Sequence, residues 1–570
     1  MCGITGVFGE VDKRILQDMT RILEHRGPDD EGFFLDSGIG LGFRRLSIID
    51  LDKGRQPMMT KDGRYVIVFN GEIYNFKELR KDLEASGVSF STNSDTEVVL
   101  KLFVKHKEKC LGYLNGMFGF AIFDTEEKRL FVARDRLGIK PIYYCSIDGN
   151  FVFSSEIKSI LKYPKSKRNI YKNSLYEFLF RQYVSAPHTI FEGIYKLEPG
   201  YYMVVDSGGI RKEKYWDLDY FVSYDNEESA IVELRRLLEA SVKRRLVSDV
   251  PLGAFLSGGV DSSIIVSLMN KLKGEGVKTF SIGFEDSEFD ESKYAKLVSE
   301  KYETDHEDVV LDSSYMDLLD KVIYHLDEPL SDFASLPTYF LSHLARRKVK
   351  VVLTGEGGDE NFGGYDYYRQ FKLANNILSR KFLFNKKVFA YSRFNEFLNS
   401  NVFSGSEHFL RNKLVSGRFN SKNFVNEMLA WDTKVWLPDD LLMKVDKMTM
   451  ANSLEARVPF LDHKFVEFCA SLNPKFKLNG RDSKYILKKA FVNELPREVL
   501  NRKKHGFDVP VEKWFNTMYK NKVDGVIDSN KDVLRQFFDQ GAINKMLNGK
   551  RDNLFLWRLY NFLVWNKKFN

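Results

Sequence analysis

Hydrophobic and polar positions follow two different patterns along the chain. From residue 2 to about 205, short apolar or β-branched runs are broken by Gly, Asn and Asp, as in RYVIVFNGEIYN, FGFAIFDTEEKRLFVARD and FVFSSE. Runs of this kind predict strands joined by turns. The stretch AIFD-TEEK-RLFVARD predicts a hairpin with a four-residue connection. The stretch NFKELRKDLEASG predicts a helix that ends at its glycine.

After a polar, turn-rich stretch at 206–228, the pattern changes. The segment EESAIVELRRLLEASVKRRL has the 3.6-residue period of a helix. Strand-like segments (VPLGAFL, VKTFSIGF, HEDVVL, VKVVLTG) then alternate with helix-like ones (SSIIVSLMNKLK, ESKYAKLVSEKY, TYFLSHLARR). This alternation predicts a mainly parallel sheet with helices on both faces, and the chain beyond about 360 predicts mostly helix. We expect a first domain at 2–205, a linker at 206–228 and a second domain at 229–570.

Composition and charge fit a globular protein with two large domains. The chain has 570 residues, of which 43% are hydrophobic and 29% charged, and a domain typically takes roughly 100–200 residues. The net charge of +7 is a mild excess in so long a chain. The basic stretches ARRKVKVVL and NRKKHGF are short, and we interpret them as solvated ends of elements rather than nucleic-acid contacts.

Cysteine usage and the lack of long apolar runs predict a cytoplasmic protein. Cys2, Cys110, Cys145 and Cys469 form no CxxC pair and no zinc-ligand spacing, so neither a disulfide framework nor a zinc site is expected. The first residues do not resemble a signal peptide, and no apolar run reaches the ~18 residues of a membrane span. We expect a reducing compartment, no membrane partner and no nucleic-acid partner.

The most specific stretch is PLGAFLSGGVDSSIIVSLM, in which an apolar strand runs through residues 257–263 into a helix. Glycines allow the backbone to approach an anion, and N–H groups at a helix N-terminus bind phosphate. The hydroxyls of Ser257, Ser262 and Ser263 add donors. The lysine of the GxxxxGK[ST] loop is missing. The stretch therefore predicts a pyrophosphate cradle without lysine-assisted γ-phosphoryl transfer, and a plain Gly/Ser turn is the alternative.

A second loop, VVLTGEGGDENFGGY, follows another predicted strand. Ligands bind at the carboxyl ends of strands in open α/β sheets. Glu356, Asp359 and Glu360 repel one another unless a cation or a basic group balances them. We predict that Asp261 and Asp359 share Mg²⁺, which favours carboxylate and phosphate oxygens. A polar surface turn is the alternative.

Together with further motifs, these loops make the chain resemble the glutamine-hydrolysing asparagine synthetases and their close relatives over essentially its whole length. The motifs are MCGITGVFG, HRGPDDEG, RRLSIID, FNGEIYN and TNSDTEVVL in the first half, and SGGVDSS, TGEGGDENFGGY, VDKMTMANSLEARVPFLDH, RDSKYILKKA and KHGFDVP in the second. The resemblance implies an N-terminal-nucleophile (Ntn) hydrolase glutaminase domain with an αββα sandwich. It also implies a doubly wound parallel-sheet ATP-pyrophosphatase domain with a helical C-terminal part.

The resemblance implies that Cys2 is the glutaminase nucleophile once Met1 is removed. Its α-amine, with a pKa near ~7.7–8.0, would take the thiol proton and return it to the leaving ammonia. Asn70 and Gly71 would form the oxyanion hole. Glutamine would be bound by Arg45, Leu46, Ser47, Ile48, Ile49, Asn70, Gly71, Glu72 and Asp95. In that set Arg45 would pair with the carboxylate, and Glu72 and Asp95 with the ammonium, although Asp95 could instead be a helix N-cap.

For the second domain, the resemblance implies an acyl-adenylate that is made from ATP and a carboxylate and then attacked by ammonia. ATP would be bound by Leu256, Ser257, Gly258, Gly259, Asp261, Ser262, Ile282, Thr354, Gly355 and Lys484. Glu356 would help to form or aminate the intermediate. Glu455 and Arg457 would shape the acceptor end, with a structural ion pair as the alternative. An ammonia channel between the two sites is also implied.

The identity of the acceptor carboxylate stays open at this point. It is aspartate in asparagine synthetases, whereas relatives with the same two domains amidate other carboxylates, such as sugar acids of cell-surface polysaccharides. The implied cofactor is Mg²⁺, ATP is a substrate, and a homodimer is left open. Because Cys2, Asn70 and Asp261 are all present, a non-catalytic protein of the same fold is disfavoured. The region 370–430 follows no pattern that we can assign.

Overall fold

The computed structural model describes residues 2–286, 288, 290–372, 392–416, 423–480, 482–502, 515 and 519–570. The strands of its first part are β1 (Gly3–Phe8), β2 (Asp30–Asp36), β3 (Ile39–Arg45), β4 (Met58–Met59), β5 (Tyr65–Ile73), β6 (Gly116–Asp124), β7 (Arg129–Arg134), β8 (Tyr143–Ile147), β9 (Asn150–Ser154), β10 (Tyr195–Lys196), β11 (Tyr201–Asp206) and β12 (Gly209–Lys214). They form two six-stranded sheets, in the orders β10-β8-β9-β1-β3-β2 and β12-β11-β7-β6-β5-β4. The predicted hairpin is confirmed, since β6 and β7 pair with Asp124 opposite Arg129.

The two sheets stack face to face between layers of helices, as the period-2 pattern of β5 illustrates. Val66 and Val68 pack between the sheets, whereas Ile67 and Phe69 pack on the other face, because successive side chains of a strand point to opposite sides. The outer helices are Phe76–Ala85 and Asp95–His106 on one side, and Lys13–Arg21, Ile157–Ile160 and Lys172–Arg181 on the other. The arrangement is the αββα sandwich implied by the resemblance.

The stretch 206–228, which we expected to be a linker, begins with part of this sandwich. β12 pairs with β11 and extends the second sheet to Lys214. All six residues of β12 are exposed. Its polar sequence reflects an edge strand, where charged side chains discourage pairing with another chain, and therefore did not show the alternation of a half-buried strand.

The second part contains an all-parallel five-stranded sheet in the order β15-β14-β13-β16-β17. Its strands are β13 (Leu252–Phe255), β14 (Lys278–Phe284), β15 (Asp305–Leu311), β16 (Val351–Leu353) and β17 (Glu455–Arg457). Both faces are buried: Val351 and Leu353 pack on one side and Val352 on the other. This confirms the expected alternation of strands and helices. The short edge strand β17 was not anticipated.

Helices make up most of the rest of the described chain, as predicted. They are Glu227–Arg245, Val260–Lys273, Ser292–Lys301, Leu319–Leu326, Ser335–Arg346, Gly358–Phe362, Tyr367–Lys372, Ser406–Ser416, Phe424–Trp431, Leu442–Met450, His463–Ser471, Pro474–Lys477, Tyr485–Ala490, Arg497–Asn501, Lys520–Ser529, Lys531–Phe537, Gln540–Asn548 and Asn553–Phe569. A π-helical stretch at Asp432–Leu441, 3₁₀ turns at Lys107–Gly112, Ser313–Leu318, Ser392–Phe397 and Pro459–Leu461, and the small pair β18 (Leu478–Asn479) and β19 (Asp482–Ser483) complete the fold.

Two of the sequence observations fall partly or wholly outside the described residues. Residues 373–391 and 417–422 of the unassigned region 370–430 lie there, as does the motif KHGFDVP. Within the described ranges, none of the helices has the length and apolar character needed to cross a bilayer.

Candidate active site

A first cleft lies in the first part, where β1 and β5 meet the loop after β3. It is lined by Cys2, Arg45, Leu46, Ile48, Ile49, Gly54, Gln56, Phe69, Gly71, Glu72, Ser94, Asp95, Thr96 and Glu455. Most of the residues predicted to bind glutamine are therefore brought together. The cleft has a volume of about 40 Å³.

The backbone of Cys2, just before β1, is held by two hydrogen bonds to neighbouring side chains. Its backbone nitrogen donates to Asn70 Oδ1 at 2.9 Å, and Arg26 Nε donates to its carbonyl oxygen at 3.1 Å. Burial raises the pKa of the Cys2 thiol, and the Leu46 N–H and Arg45 oppose that shift. Asn70 is fully buried, and its Nδ2 has no hydrogen-bond partner among the described residues. Because a buried donor without an acceptor is costly, this amide suits a ligand oxygen.

Two of the predicted glutamine-binding residues have other contacts. The guanidinium of Arg45 donates to the carbonyl oxygens of Leu51 at 2.9 Å and Asp50 at 2.7 Å, so it braces the loop that covers the cleft. The N–H of Ser47 donates to Asp29 Oδ2 at 2.8 Å, and Ser47 does not line the cleft. The alternation of the chain after β3 turns Ser47 away while Leu46 and Ile48 face inward.

Glu72 and Asp95 supply carboxylates to the cleft, as predicted for an ammonium site. Asp95 Oδ2 accepts from the Ile73 N–H at 3.0 Å, and burial raises the pKa of Asp95 to about 6. The helix that starts at Asp95 is capped by Ser94, whose hydroxyl accepts from Glu97 N–H at 3.2 Å. The alternative interpretation of Asp95 as the N-cap is therefore wrong.

A second cleft of about 450 Å³ lies at the carboxyl ends of β13 and β16, the edge where open α/β sheets bind ligands. Of the predicted residues, Leu256, Ser257, Gly259, Asp261, Ser262, Ile282, Thr354, Gly355, Glu356, Asp359 and Lys484 line it. Gly258 does not line the cleft but shapes its loop. It has φ +66°, and a Cβ there would lie 2.5 Å from the backbone of Tyr294 and Ala295.

Hydroxyl groups hold the phosphate loop together from within. Ser257 and Ser262 lie with their Oγ atoms 3.1 Å apart, and the Gly259 N–H donates to Ser257 Oγ at 3.3 Å. The helix Val260–Lys273 starts immediately afterwards, and its first three residues line the cleft, where the N–H groups of a first turn can bind an anion. Ser263, which was expected to add a donor, does not line the cleft; its hydroxyl is buried and has no hydrogen-bond partner among the described residues.

Lys484 bridges the two carboxylates that were predicted to bind Mg²⁺. Its Nζ lies 2.7 Å from Asp359 Oδ1 and also pairs with Asp261. The predicted crowding of acidic groups is evident at Glu360, where burial and then Asp359 raise the pKa to about 8. Within the described ranges no group of three His, Cys, Asp or Glu side chains is arranged to hold a metal. Two adjacent carboxylates nevertheless fit Mg²⁺, which commonly takes one or two carboxylates together with substrate phosphates.

The second cleft also contains charged residues that the sequence analysis missed. Arg502, placed with the solvated stretch NRKKHGF, lines the cleft, donates to the Gly258 carbonyl at 3.1 Å and pairs with Glu291. That interpretation is wrong for Arg502, although its position beside KHGFDVP was an available signal. Lys444 pairs with Asp332 at 2.9 Å. Burial opposes its charge, yet Asp332 and Glu356 raise its pKa.

Glu455 and Arg457 lie between the two parts rather than at the second cleft. Glu455 lines the first cleft. Arg457 Nε donates to Glu455 Oε1 at 2.6 Å, and its Nη2 donates to Glu72 Oε2 at 3.0 Å. The structure does not bring this pair to the acceptor end where we expected it, because β17 is the sheet edge nearest the first part. The alternative, an ion pair, describes their contact.

Buried charges connect the two clefts through the helix Leu442–Met450. Asp446 accepts from Arg26 Nη1 at 2.8 Å and pairs with Lys140 at 3.1 Å. Arg26 in turn contacts Cys2, while Lys444 on the same helix lines the second cleft. All of these side chains are buried. One helix therefore lines the second cleft and contacts, through Asp446, the arginine that binds the Cys2 carbonyl.

Comparisons with known proteins cover both parts. Residues 233–567 match the family model "Asparagine synthase", and residues 1–216 match "Glutamine amidotransferase domain". The chain is 35% identical to "Asparagine synthetase [glutamine-hydrolyzing] 1" of Bacillus subtilis, over 99% of this chain and 96% of the relative. It is 32% identical to "Asparagine synthetase [glutamine-hydrolyzing] 3" of the same organism, over 96% of this chain and 93% of the relative. It is 42% identical to "Putative asparagine synthetase [glutamine-hydrolyzing] 2" of Methanocaldococcus jannaschii, over 64% of this chain and 76% of that protein.

Proposed function

The chain belongs to the family of glutamine-hydrolysing asparagine synthetases, and from this premise we propose that it makes asparagine from aspartate with glutamine as the nitrogen donor. The products would be asparagine, glutamate, AMP and pyrophosphate. The enzyme would be an ATP-dependent carbon–nitrogen ligase. We further propose that residues 2–214 carry the glutaminase, since β12 completes its second sheet, and that 215–226 form the connection and 227–570 the ATP-dependent synthetase.

In the first half-reaction, the Cys2 sulfur attacks the glutamine amide carbon and forms a thioester as ammonia leaves. The α-amine, free once Met1 is removed, takes the thiol proton and passes it to the leaving nitrogen. Asn70 Nδ2 and the Gly71 N–H donate to the oxyanion. Arg45, which has donors left beyond those on the Leu51 and Asp50 carbonyls, would pair with the substrate carboxylate, and Glu72 and Asp95 would hold its ammonium. Water then hydrolyses the thioester to glutamate.

In the second half-reaction, the aspartate β-carboxylate attacks the α-phosphorus of ATP, and pyrophosphate leaves. Ammonia then attacks the acyl carbon, the bond to AMP breaks, and the amide remains. The loop 257–262 would hold phosphate oxygens, while Leu256, Ile282, Thr354 and Gly355 would contact adenine. Lys484 would offset phosphate charge, and Glu356 would assist either step. Mg²⁺ held by Asp261 and Asp359 would neutralise charge on the phosphates.

One observation carries this proposal: the chain contains two clefts of different chemistry, and buried contacts link the residues around them. One cleft has a buried cysteine beside an unpartnered amide donor at Asn70. The other has a phosphate loop at the carboxyl edge of a parallel sheet. Only neutral ammonia is a nucleophile, and in bulk water it is mostly protonated to ammonium. A source of ammonia within the same molecule therefore favours its reaction with the acyl-adenylate.

The test is pyrophosphate release by the full-length protein with ATP, Mg²⁺ and glutamine, with and without aspartate. We expect pyrophosphate and asparagine to form in equal amounts and only with aspartate. The Cys2→Ala protein is the control, which should form asparagine and pyrophosphate from ammonium chloride without releasing glutamate. Glutamate release without aspartate-dependent pyrophosphate would refute aspartate as the acceptor and favour another carboxylate, such as a sugar acid.

A further inference from the structure

The first cleft is completed by the edge strand of the second part. Glu455 of β17 is one of its lining residues, and Arg457, on the same face of that strand, reaches Glu72. β17 pairs with β16 in parallel, and the Arg457 carbonyl accepts from the Thr354 N–H at 2.9 Å. The strand that borders the first cleft is thus tied to the loop that lines the second.

Arg457 is fixed in one orientation by its other contacts. Its side chain is fully buried. Nη1 donates to the carbonyl oxygens of Arg245 at 2.8 Å and Val247 at 2.6 Å, and Nε donates to Glu455 Oε1. Nη2 is thereby directed at Glu72 Oε2, 3.0 Å away. A rigid guanidinium of this kind sets the position of its carboxylate partner more closely than a flexible ammonium would.

The arrangement leaves one oxygen of Glu72 for a ligand. Glu72 is 3% exposed, and its Oε1 has no hydrogen-bond partner among the described residues. A buried carboxylate oxygen is rarely left without a donor. Glu72 lines the cleft, so a cationic donor that enters it can supply the missing hydrogen bond.

The negative charges around Glu72 favour binding of such a cation. Glu72, Asp95 and Glu455 all line the same cleft. Burial raises the pKa of Glu72 and Arg457 opposes that shift, whereas Asp95 and Glu455 add to it. Without Arg457 the carboxyl of Glu72 would keep its proton to higher pH and would lose its attraction for an ammonium.

We propose that Arg457 is a positioning residue of the glutamine site, which holds Glu72 Oε2 so that Oε1 accepts from the α-ammonium of an amino-acid substrate. Glu455 orients Arg457 through its Nε. The glutamine site is therefore shared by the two parts, with β17 as its outer wall. This inference rests on the proposed function, because it assumes that the cleft binds glutamine.

The test compares Arg457→Lys, Arg457→Met and Glu72→Gln in the full-length protein, by steady-state glutamate formation between pH 6 and 9. We expect Arg457→Met to raise KM for glutamine roughly ten- to a hundred-fold, the range for losing a charged hydrogen bond, with little change in kcat. That KM should fall as pH rises, because Glu72 then ionises. Arg457→Lys should raise this KM by a smaller factor. The double variant Arg457→Lys with Glu72→Gln should have the same KM as Glu72→Gln alone.

A substrate analogue separates positioning from a merely structural role. 4-Carbamoylbutanoate is glutamine without its α-ammonium, so Arg457→Lys should leave its KM unchanged while raising that for glutamine. Ammonia-dependent asparagine formation reports the fold of each variant. If the Arg457→Met protein lacks ammonia-dependent activity, the comparison of glutamine with the analogue in the Arg457→Lys protein provides the test.

Three results would overturn the inference, and the third is distinguishable from the first two. Equal effects of Arg457→Lys on glutamine and on the analogue, or full additivity with Glu72→Gln, would make Arg457 structural only and leave the proposed function intact. Absence of glutamine hydrolysis by the unaltered protein would refute the proposed glutaminase, and this inference with it.

Discussion

Cys2 lies at the point where the first strand enters the sandwich, with its backbone nitrogen on Asn70 Oδ1. Burial raises the pKa of its thiol, so a neighbouring base is needed to produce the reactive thiolate. The proposed base, the α-amine, is an atom of the same residue and needs no further side chain. In the proposed function, Cys2 therefore acts in the glutaminase half-reaction alone.

We therefore predict that Cys2→Ala removes glutamine-dependent asparagine formation by at least about 10³-fold, as is typical when a nucleophile is deleted. Synthesis from ammonium chloride should stay within about twofold, since the phosphate loop does not contact Cys2. Cys110→Ala is the matched control, because Cys110 is buried but does not line the cleft. The measurement is the rate of asparagine formation with each nitrogen source. Loss of both activities in Cys2→Ala would contradict the assignment.

The raised pKa of Asp95 leads to a prediction about the pH dependence of glutamine binding. Burial raises the pKa of Asp95 to about 6, so its carboxylate is charged above that pH and neutral below it. Glutamine binding should weaken as pH falls through about 6. The measurement is the Kd of glutamine for the Cys2→Ala protein by calorimetry from pH 5 to 8. Asp95→Asn should bind more weakly and lose this step, and a step that persists in it would assign the titration to another group.

At the scale of elements, the phosphate loop connects the central strand β13 to the helix Val260–Lys273. The turn requires a positive φ at Gly258, where an added Cβ would meet the backbone of Tyr294 and Ala295 at 2.5 Å. Backbone contacts cannot give way as a flexible side chain can. The position of the loop, and with it the proposed binding of phosphate, depends on this glycine.

Gly258→Ala should therefore lower ATP-dependent synthesis by about 10²-fold, the size expected when reacting groups move by about 1 Å. Glutamine hydrolysis should remain. Gly525→Ala serves as the control, since nothing lies within 4 Å of its added Cβ. The measurement is pyrophosphate release beside glutamate release for both variants. Normal pyrophosphate release by Gly258→Ala would show that the loop does not position the phosphates.

The elements that could be predicted from the sequence are those whose signal is local. β13, the loop after it and the helix Val260–Lys273 form one contiguous pattern, and the predicted helix before Gly87 ends as expected, with Ala85 as its last residue and Gly87 at φ +87°. β17 has three residues and exists because it pairs with β16, some hundred positions earlier, so no local pattern could indicate it. Arg502 reaches the phosphate loop for the same long-range reason, and a basic run alone resembles a solvated end.

At the scale of the whole molecule, the two parts meet through buried charges. Arg26 binds Asp446 through two nitrogens, at 2.8 and 3.2 Å, and Lys140 pairs with the same carboxylate. These side chains are at most 2% exposed. A buried ion pair contributes little compared with an apolar contact, but removing one partner leaves an uncompensated charge. The junction is therefore sensitive to neutralisation of Asp446.

Asp446→Asn should lower the free energy of unfolding by about 3–5 kcal/mol, since Arg26 and Lys140 lose their shared partner. Asp148→Asn, which removes an exposed pair with Lys165, should have no measurable effect. Urea unfolding followed by tryptophan fluorescence compares the two substitutions. Equal stability of both variants would mean that the buried pair does not hold the junction.

The most direct test of the account is to follow the amide nitrogen of glutamine into the product. The full-length protein receives [amide-¹⁵N]glutamine, ATP, Mg²⁺ and aspartate with an excess of unlabelled ammonium, and mass spectrometry reads the label in asparagine. If the two clefts act as one enzyme, the asparagine amide should be mostly ¹⁵N despite the unlabelled pool. Label that appears only in free ammonium, or no asparagine at all, would contradict the claim that glutamine hydrolysis supplies the synthesis of asparagine.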